Sequence, residues 1–366
     1  MPLIRVGAIQ AKKRSIPYKV PTVEAALEQV RANLNQLVVL AERAAKMGCR
    51  IIAFPEDTLG TLEWEAAHRN ELSRFLRVCE HEMLASFGEV AKKHEMYIIC
   101  CNNLVEDDGI YNTAVLIGQD GREIGRYHKV HPPLHEWTRG GRGFPVFNLP
   151  NIGTIGMCIC YDIVFPETTR ALALAGADIV FHLTMGGASL AGKDASLAAF
   201  RTRAAENFIY LVVAFRGGGS MIISPKGEIL ADGGNEPDAI VVADIDPLSG
   251  RDAGDALGGI TSDFRARLFR ERAPAAYGIL IDENPPVLEK LKHVLVPSRE
   301  EAAALAAEAL TTGADEFYEA ERYLSEGKIE KAKRKFEELS KRFGTLWIGR
   351  LSRERLEKIA KRSCKQ

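Results

Sequence analysis

The sequence predicts an α/β fold with mixed sheets, followed by a small all-helical appendage. Strand-like and helix-like patterns alternate along most of the chain, which is typical of strand-helix-strand units. The turn GQDG joins two further strand patterns, IYNTAVLI and EIGRYHKV, into an antiparallel hairpin. After Pro297 the strand patterns disappear, and helix-forming and charged residues dominate.

The first part of the chain follows a β-α-β-α-β order. RVGAIQ alternates as a strand does, and the apolar stripe from Val23 to Ala41 predicts a helix that ends at Gly48. RIIAFPED is a buried strand stopped by Pro55, and a second helical stripe leads into the strand MYIICCNNL. The hairpin follows directly, so one sheet mixes parallel and antiparallel pairs.

A second strand-helix-strand unit begins with GTIGMCIC. Pro166 suits the first turn of the next helix, Gly176 ends it, and ADIVFHLT is the following strand. A third long helix, about 194–207, precedes the strands FIYLVVAF, SMIIS, GEILA and AIVVADID. We assign residues 1–296 to this α/β domain.

Residues 297–366 form the predicted helical extension. Two apolar stripes flank Gly327, with a spacing that resembles one tetratricopeptide-type helical hairpin; they contain Ala320, Tyr323, Ala332, Phe336 and Leu339. A single hairpin cannot bury both of its faces, so we expect it to pack on the final helix, TLWIGRLSRERLEKIAKR, or on another subunit. Peptide binding is the alternative.

Charge and cysteine content exclude several classes of function. Lysine and arginine (48) nearly balance aspartate and glutamate (49), so neither nucleic acid nor an anionic membrane is an expected partner. No run reaches the ~20 apolar residues of a membrane helix, and MPLIRVGAIQ lacks a signal-peptide core, which predicts a cytoplasmic protein. Seven irregularly spaced cysteines form neither a disulfide pattern nor paired zinc knuckles. A small molecule is the expected partner.

Two cysteines stand at the end of one predicted strand, in GMCICYDIVFPE. Because side chains alternate along a strand, Cys158 and Cys160 are expected to share one face. Cys160 is the last residue of the strand, where ligand crevices open, and a helix N-terminus nearby stabilises a thiolate. Cys160 is therefore the better-placed nucleophile, although a strand-end cysteine is also a common structural residue.

Two other strand ends carry ionisable groups. Glu56 follows the buried strand IIAF, and Lys129 ends the strand IGRYH. A cysteine nucleophile needs a base and a group that holds the oxyanion, and these two side chains supply both. Each alone is compatible with a solvated turn residue, but their coincidence with Cys160 favours a catalytic site.

Three motifs, FPED, YHKVH and GMCICYDIVFPE, resemble in order and spacing those of the nitrilase superfamily of carbon-nitrogen hydrolases. RTRAAENFIYLVV and GGGSMIISPKGEILAD extend the resemblance, which covers roughly residues 3–250. It implies a four-layer α-β-β-α sandwich, assembly as homodimers or larger homo-oligomers, and no cofactor or metal. The cysteine before the Tyr-Asp pair is the family's nucleophile, which selects Cys160.

The resemblance also implies a mechanism for a thiol hydrolase. Glu56 takes the proton of Cys160, and Lys129 with the backbone N–H of Tyr161 holds the oxyanion. A second glutamate assists in the family, and Glu136 is the candidate. For Glu56 to act as base and acid, we expect its pKa to be raised toward neutrality.

Several alternatives remain open on the sequence alone. HKVHPPLHE offers His128, His131, His135 and Glu136 as zinc ligands, although its prolines break any helix that would align them. Cys160 with His182 is a possible Cys-His hydrolase, and RGGGS is a weak phosphate-loop candidate that matches neither Gly-rich motif. A catalytically inactive scaffold that binds a partner through its helical extension is the alternative from another class.

The sequence does not identify the substrate. Linear amides, N-carbamoyl amines, ω-amides and nitriles all pass through the same thioester, and acyl transfer uses the same residues. We expect simple amide hydrolysis. The glycine-rich HLTMGGASLAG is expected to shape the pocket, and Arg203 with Glu206 is expected to form a structural ion pair.

Overall fold

Twelve strands form two six-stranded sheets within residues 3–186, 193–248 and 263–363, the residues that this computed structural model describes. Their bounds are β1 Ile4–Gln10, β2 Ile51–Ala53, β3 Tyr97–Glu106, β4 Gly109–Ile117, β5 Glu123–His128, β6 Val146–Leu149, β7 Gly153–Ile159, β8 Ile179–Thr184, β9 Tyr210–Phe215, β10 Met221–Ile223, β11 Ile229–Asp232 and β12 Ala239–Ile245.

Both sheets are mixed, as predicted. The first sheet has the order β12-β1-β2-β3-β4-β5, with β1, β2 and β3 parallel and the other pairs antiparallel. The second has the order β11-β10-β9-β8-β7-β6, with β7, β8 and β9 parallel at its centre. Parallel neighbours need crossover connections, which the helices between them supply. The last strand, β12, pairs with β1 and forms one edge of the first sheet.

Eleven α-helices complete the described residues. They are α1 Val23–Lys46, α2 Leu62–Ala67, α3 Leu72–His94, α4 Pro166–Leu174, α5 Lys193–Asn207, α6 Phe264–Glu271, α7 Pro286–Lys290, α8 Arg299–Leu310, α9 Thr312–Ser325, α10 Ile329–Arg342 and α11 Trp347–Ser363. The predicted stripe of α1 is buried along its whole length, and Thr22 caps the helix by accepting from the Ala25 N–H.

The apolar core lies in three layers. Side chains of α1 and α3 pack on the outer face of the first sheet, a central layer lies between the two sheets, and α4 and α5 cover the outer face of the second. These contacts give the predicted four-layer α-β-β-α sandwich. Fully buried Trp64, Phe54 and Phe181 are among the largest residues of the core.

The predicted helical hairpin of the extension is confirmed. Helices α9 and α10 flank Gly327, whose φ of 74° suits a residue without Cβ, and both pack with α11 around buried Phe336. The final helix therefore covers the second face of the hairpin, one of the two packings expected. The tetratricopeptide-type classification and the division of the chain at residue 297 stay predictions.

Residues 264–296 join the sandwich to the extension, and the start of this segment is bound to the sandwich. Arg265 forms an ion pair of 3.0 Å with Asp178. Further on, the segment exposes apolar side chains, including Ile281 and Leu295, which are 86% and 96% exposed. Among the described residues no helix combines the length and apolar character needed to cross a membrane. Cys364 lies outside the described residues.

Candidate active site

The three ionisable strand-end residues meet at one edge of the sandwich. Glu56 lies just after β2, Lys129 directly after β5, and Cys160 directly after β7. Strands β2 and β5 belong to the first sheet and β7 to the second, so the site lies where the two sheets face each other. Because the carboxyl ends of the parallel strands open toward this edge, the sequence places its reactive groups where such folds form crevices.

Glu56 is buried and held at both carboxylate oxygens. Its Oε1 accepts from Asn112 Nδ2 at 2.8 Å and from Lys129 Nζ at 3.0 Å, and its Oε2 accepts from the Met185 N–H at 3.2 Å. The carboxyl also interacts with the thiol of Cys160. These contacts fix the orientation of Glu56 beside the sulfur.

The predicted raised pKa of Glu56 is wrong for the resting site. Burial raises the pKa of this carboxyl, but the neighbouring ammonium of Lys129 and the hydrogen bonds from Lys129 and Asn112 together bring it below its ordinary value. Sequence reasoning expected burial and the neighbouring groups to raise this pKa together, whereas the neighbouring groups lower it. Glu56 is therefore an ionised carboxylate before substrate arrives, able to accept a proton.

Lys129 is fully buried between two carboxylates. Its Nζ donates to Glu56 at 3.0 Å and to Glu136 Oε1 at 2.6 Å. Burial lowers the pKa of Lys129, yet Glu56 and Glu136 outweigh this effect and raise the pKa well above its ordinary value. The ammonium charge is therefore permanent at physiological pH.

Glu136 is the second carboxylate of the cluster, on the loop after β5. Burial raises its pKa, and Lys129 opposes that rise without cancelling it. Its Oε2 is buried without a hydrogen-bond partner in the described structure. One oxygen of Glu136 thus holds Lys129, while the other remains an acceptor within the site.

Cys160 occupies an uncommon backbone conformation. Its φ is 44°, in the left-handed region, and the residue opens a 3₁₀ turn over Cys160–Val164. Burial and the adjacent Glu56 raise the pKa of its thiol to about 12, against the opposing effects of Lys129 and Thr184. The thiol is therefore protonated at rest. It is the only one of the six described cysteines that is partly exposed.

The expectation that Cys158 and Cys160 share a face is wrong. Cys158 lies in the core between the second sheet and its helices, whereas Cys160 packs against the core between the sheets. The regular strand ends at Ile159, and the positive φ of Cys160 turns the next side chain away from the alternation. The two thiols therefore lie on opposite faces of the second sheet.

Asp162 links the cysteine turn to the lysine loop, a role that sequence reasoning missed. This buried carboxylate accepts from the Ile159 N–H at 3.0 Å, from Tyr127 Oη at 2.7 Å and from the His131 N–H at 2.8 Å. Its place two residues after Cys160 was the available signal. Tyr161, between them, lies in the same turn and packs its ring edge-on against Phe165.

The histidines do not converge on one point. His128 Nδ1 contacts Thr113 Oγ1 at 2.9 Å, His131 Nδ1 contacts Asp162 at 2.9 Å, and His135 is exposed. Within the described ranges no three His, Cys, Asp or Glu side chains are arranged to hold a metal ion. His182 contacts Cys158 Sγ at 3.5 Å, so the structure pairs it with the other cysteine.

Two other predicted features have structural partners. The RGGGS segment forms a turn in which Gly217 donates to the Ala11 carbonyl, and its Arg216 forms a buried ion pair with Asp57. Arg203 and Glu206 form the expected ion pair at 3.2 Å. Residues 187–192 of the glycine-rich loop HLTMGGASLAG lie outside the described residues.

Comparison with known proteins decides the family. Residues 5–253, more than half of the chain, match the carbon-nitrogen hydrolase model. The chain belongs to the carbon-nitrogen hydrolase family. As a member of the nitrilase superfamily it is a hydrolase acting on carbon-nitrogen bonds other than peptide bonds.

Two relatives and one solved structure are similar to this chain. A nitrilase from Pyrococcus abyssi is 33% identical over 227 residues, 58% of this chain and 83% of that protein. A deaminated glutathione amidase from Synechocystis sp. is 30% identical over 247 residues, 59% and 86% of the two chains. The solved structure of a mutant amidase from Nesterenkonia sp. AN1 shares the fold, with a TM-score of 0.57 at 21% identity, over 75% of this chain and 96% of that one.

Proposed function

We propose that this hydrolase cleaves the carbon-nitrogen bond of a small amide through a thioester on Cys160, releasing ammonia or an amine. The observation that carries the proposal is the buried Lys129 ammonium, fixed between Glu56 and Glu136, with the Cys160 thiol beside Glu56. A carboxylate, a permanent cation and a thiol in one pocket are the groups that acyl transfer needs.

In the first step the sulfur of Cys160 attacks the amide carbon while Glu56 accepts the thiol proton. Because the pKa of the thiol is about 12, a free thiolate is scarce at rest, and proton removal accompanies bond formation. The lowered pKa of Glu56 keeps its carboxylate ionised and ready to accept that proton.

The negative charge that develops on the amide oxygen requires donors. Lys129 supplies a permanent cation, and the backbone N–H of Tyr161, in the first turn of the 3₁₀ segment, belongs to the groups that a helical start leaves without an internal partner. A donor of this kind contributes about 10²–10³-fold in rate.

Glu56 then returns the proton to the leaving amine as the carbon-nitrogen bond breaks, which leaves the acyl group on sulfur. A water molecule next attacks the thioester carbon and gives one proton to Glu56. The carbon-sulfur bond breaks, Cys160 recovers its proton from Glu56, and the carboxylic acid leaves. The sum of the steps is amide plus water giving acid plus amine.

The names of the relatives support an amide substrate. The Synechocystis protein is named an amidase, and the Nesterenkonia structure is described as carrying the acetamide moiety of fluoroacetamide covalently at its active site cysteine. The Pyrococcus relative is named a nitrilase, so nitriles belong in any test.

A substrate panel tests this function. Purified enzyme is incubated with short linear amides, ω-amides, N-carbamoyl amines and nitriles, and ammonia release is measured, with hydroxylamine as a competing acyl acceptor. We expect turnover of linear amides above all other classes. Turnover of nitriles or carbamoyl compounds alone would contradict the amide assignment, and product only with hydroxylamine would indicate acyl transfer.

We also infer that the chain assembles as a homo-oligomer. The segment 277–296 exposes a run of large apolar side chains that the other described residues leave uncovered; among them are Tyr277, Ile279, Leu280, Ile281, Val287, Leu288, Leu291, Val294, Leu295 and Val296. Patches of this kind mark interfaces. Light scattering should give a mass of at least twice 40.3 kDa, and a monomer at micromolar concentration would contradict the inference.

A further inference from the structure

The helical extension contacts the loop that carries Glu136. Arg299, the first residue of α8, donates from Nη1 to the backbone carbonyl of Glu136 at 2.9 Å. The carboxylate of Glu136 in turn binds Lys129 Nζ at 2.6 Å. Only two hydrogen bonds therefore separate the extension from the buried ammonium of the site.

The same helix also packs on α2, the helix that follows the Glu56 loop. Helix α8 contacts α2, and Asp57 caps the start of α2 by accepting from the Thr61 and Leu62 N–H groups at 2.7 and 3.3 Å. Glu56 and Asp57 are adjacent in the chain. Helix α8 therefore contacts the Glu136 loop directly through Arg299, and it contacts the Glu56 loop indirectly through α2.

Arg299 has an unfavourable position for helix stability. A cation in the first turn opposes the helix dipole, which favours negative charge there. The start of α8 is fixed instead by a capping box between Ser298 and Glu301. Since the charge does not serve its own helix, the contact with the Glu136 carbonyl is the role that the structure gives to Arg299.

Three further contacts hold the extension in place at this edge of the sandwich. Asp315 of α9 accepts from Tyr18 and forms an ion pair with Lys19 at 2.6 Å. The ammonium of Lys13 lies 5.9 Å from the centre of the Trp347 ring of α11. The extension is thus attached to the segment after β1 as well as to the Glu136 loop.

We propose that Arg299 is a positioning residue, through which the helical extension holds the Glu136 loop and so keeps Glu136 on Lys129. The extension lies outside the region that matches the family model, residues 5–253, so this device is an addition to the hydrolase fold. The proposal rests on the proposed function, because the position of Glu136 matters only if Lys129 takes part in the reaction.

Steady-state kinetics of the full-length variant Arg299→Ala test the proposal. Loss of one charge-assisted hydrogen bond to an exposed loop should lower kcat about 3- to 10-fold with KM little changed. Arg299→Lys retains a donor and should recover most of the lost kcat. Hydrogen exchange should accelerate in residues 130–142 of Arg299→Ala.

Arg353→Ala is the matched control. Arg353 is also exposed, belongs to the extension, and donates from Nη1 to the Gly344 carbonyl at 2.8 Å, but this partner lies within the extension itself. Its kcat and loop exchange should equal those of wild type. Equal losses in both variants, an effect of Arg299→Ala on KM alone, or no effect at all would overturn the proposal. Failure of the proposed function is distinguishable, since wild type itself would then not turn over amides.

Discussion

Strand β7 and the turn directly after it carry two cysteines with opposite surroundings. Cys158, buried among apolar side chains of the sheet and its helices, has His182 as its polar neighbour, with Sγ and Nδ1 3.5 Å apart. Cys160, on the other side of the strand end, meets the carboxylate of Glu56 and lies near the ammonium of Lys129. The thiol of Cys158 therefore has a neutral imidazole as its neighbour, whereas the thiol of Cys160 has an ionised carboxylate.

A lowered thiol pKa does not distinguish the two sites. Burial raises the pKa of Cys158 well above its ordinary value and that of Cys160 to about 12. Burial also lowers the pKa of His182 to about 4, and its Nε2 has no partner in the described structure. Proton transfer from Cys158 to His182 would create a thiolate and an imidazolium in an apolar, buried environment, which is costly. A fixed cation and an ionised carboxylate, rather than thiol acidity, support Cys160 as the proposed nucleophile.

The largest expected effect is the difference in activity between two single variants, in which either Cys160 or Cys158 is replaced by alanine. Cys160→Ala removes the sulfur that we propose forms the thioester, and it should lower kcat about 10⁴-fold or more. Cys158→Ala should keep most of the activity and lose about 1 kcal/mol of stability, a normal cost for a buried substitution. Amide hydrolysis and urea denaturation measure both. Equal loss of activity in two folded variants would remove the distinction between the two sides.

The next effect concerns the base. Glu56→Gln keeps the shape of the side chain but cannot accept the thiol proton. Both half-reactions should slow, and kcat should fall about 10²–10⁴-fold. Glu65→Gln is the matched control, because Glu65 is an equally buried carboxyl that bonds to neutral Thr61 and Asn103 at 2.6 Å each. The control should retain wild-type kcat. Rapid-quench kinetics that find no change in Glu56→Gln would exclude it as the base.

The same two carboxyls predict opposite dependences of stability on pH. Burial raises the pKa of Glu65 from 4.5 to about 7, so its favourable contribution is complete below pH 4.5 and is lost as the pH rises through 7. Glu65→Gln should therefore gain stability over wild type between about pH 5 and pH 8, by on the order of 1–3 kcal/mol.

For Glu56 the free energy of unfolding should change with pH in the opposite direction. Its folded pKa is lowered, so its contribution is present above the ordinary carboxyl pKa and is lost as the pH falls through the folded value. Glu56→Gln should lose stability at neutral pH, and the loss should shrink in acid. Urea denaturation at several pH values checks both variants, and two curves of the same sign would contradict the assigned charge states.

The smallest expected effect is that of His182. His182→Asn removes the polar neighbour of Cys158 but no group near Cys160, so kcat should stay close to the wild-type value. Ammonia release gives the measurement, and circular dichroism controls for folding. A loss comparable to that of Glu56→Gln would return the Cys-His mechanism to consideration.

The sequence predicted those parts of the site that depend on strand ends. Glu56, Lys129 and Cys160 each follow a strand whose pattern is visible, so their meeting at one edge was foreseeable. The opposite facing of Cys158 was not, because it depends on the φ of 44° at Cys160. Local patterns report periodicity, and a single residue in the left-handed region breaks it.

Contacts between distant segments were beyond sequence reasoning. Asn112 on β4 donates to Glu56, and Arg299 reaches Glu136 across 163 positions of the chain. The pKa of Glu56 depends on such contacts as well, since Lys129 and Asn112, both distant in the chain, reverse the effect of burial. Secondary structure follows from periodicity, whereas the charge state of a site follows from packing.

Intact-mass spectrometry during turnover tests the central claim most directly. Wild type is quenched in acid while it hydrolyses an amide, and the modified peptide is identified after digestion. The account predicts an acyl adduct on Cys160, none on Cys158, and no adduct at all in Cys160→Ala. An adduct on Cys158, or continued turnover by wild type with no adduct on either thiol across several good substrates, would contradict it.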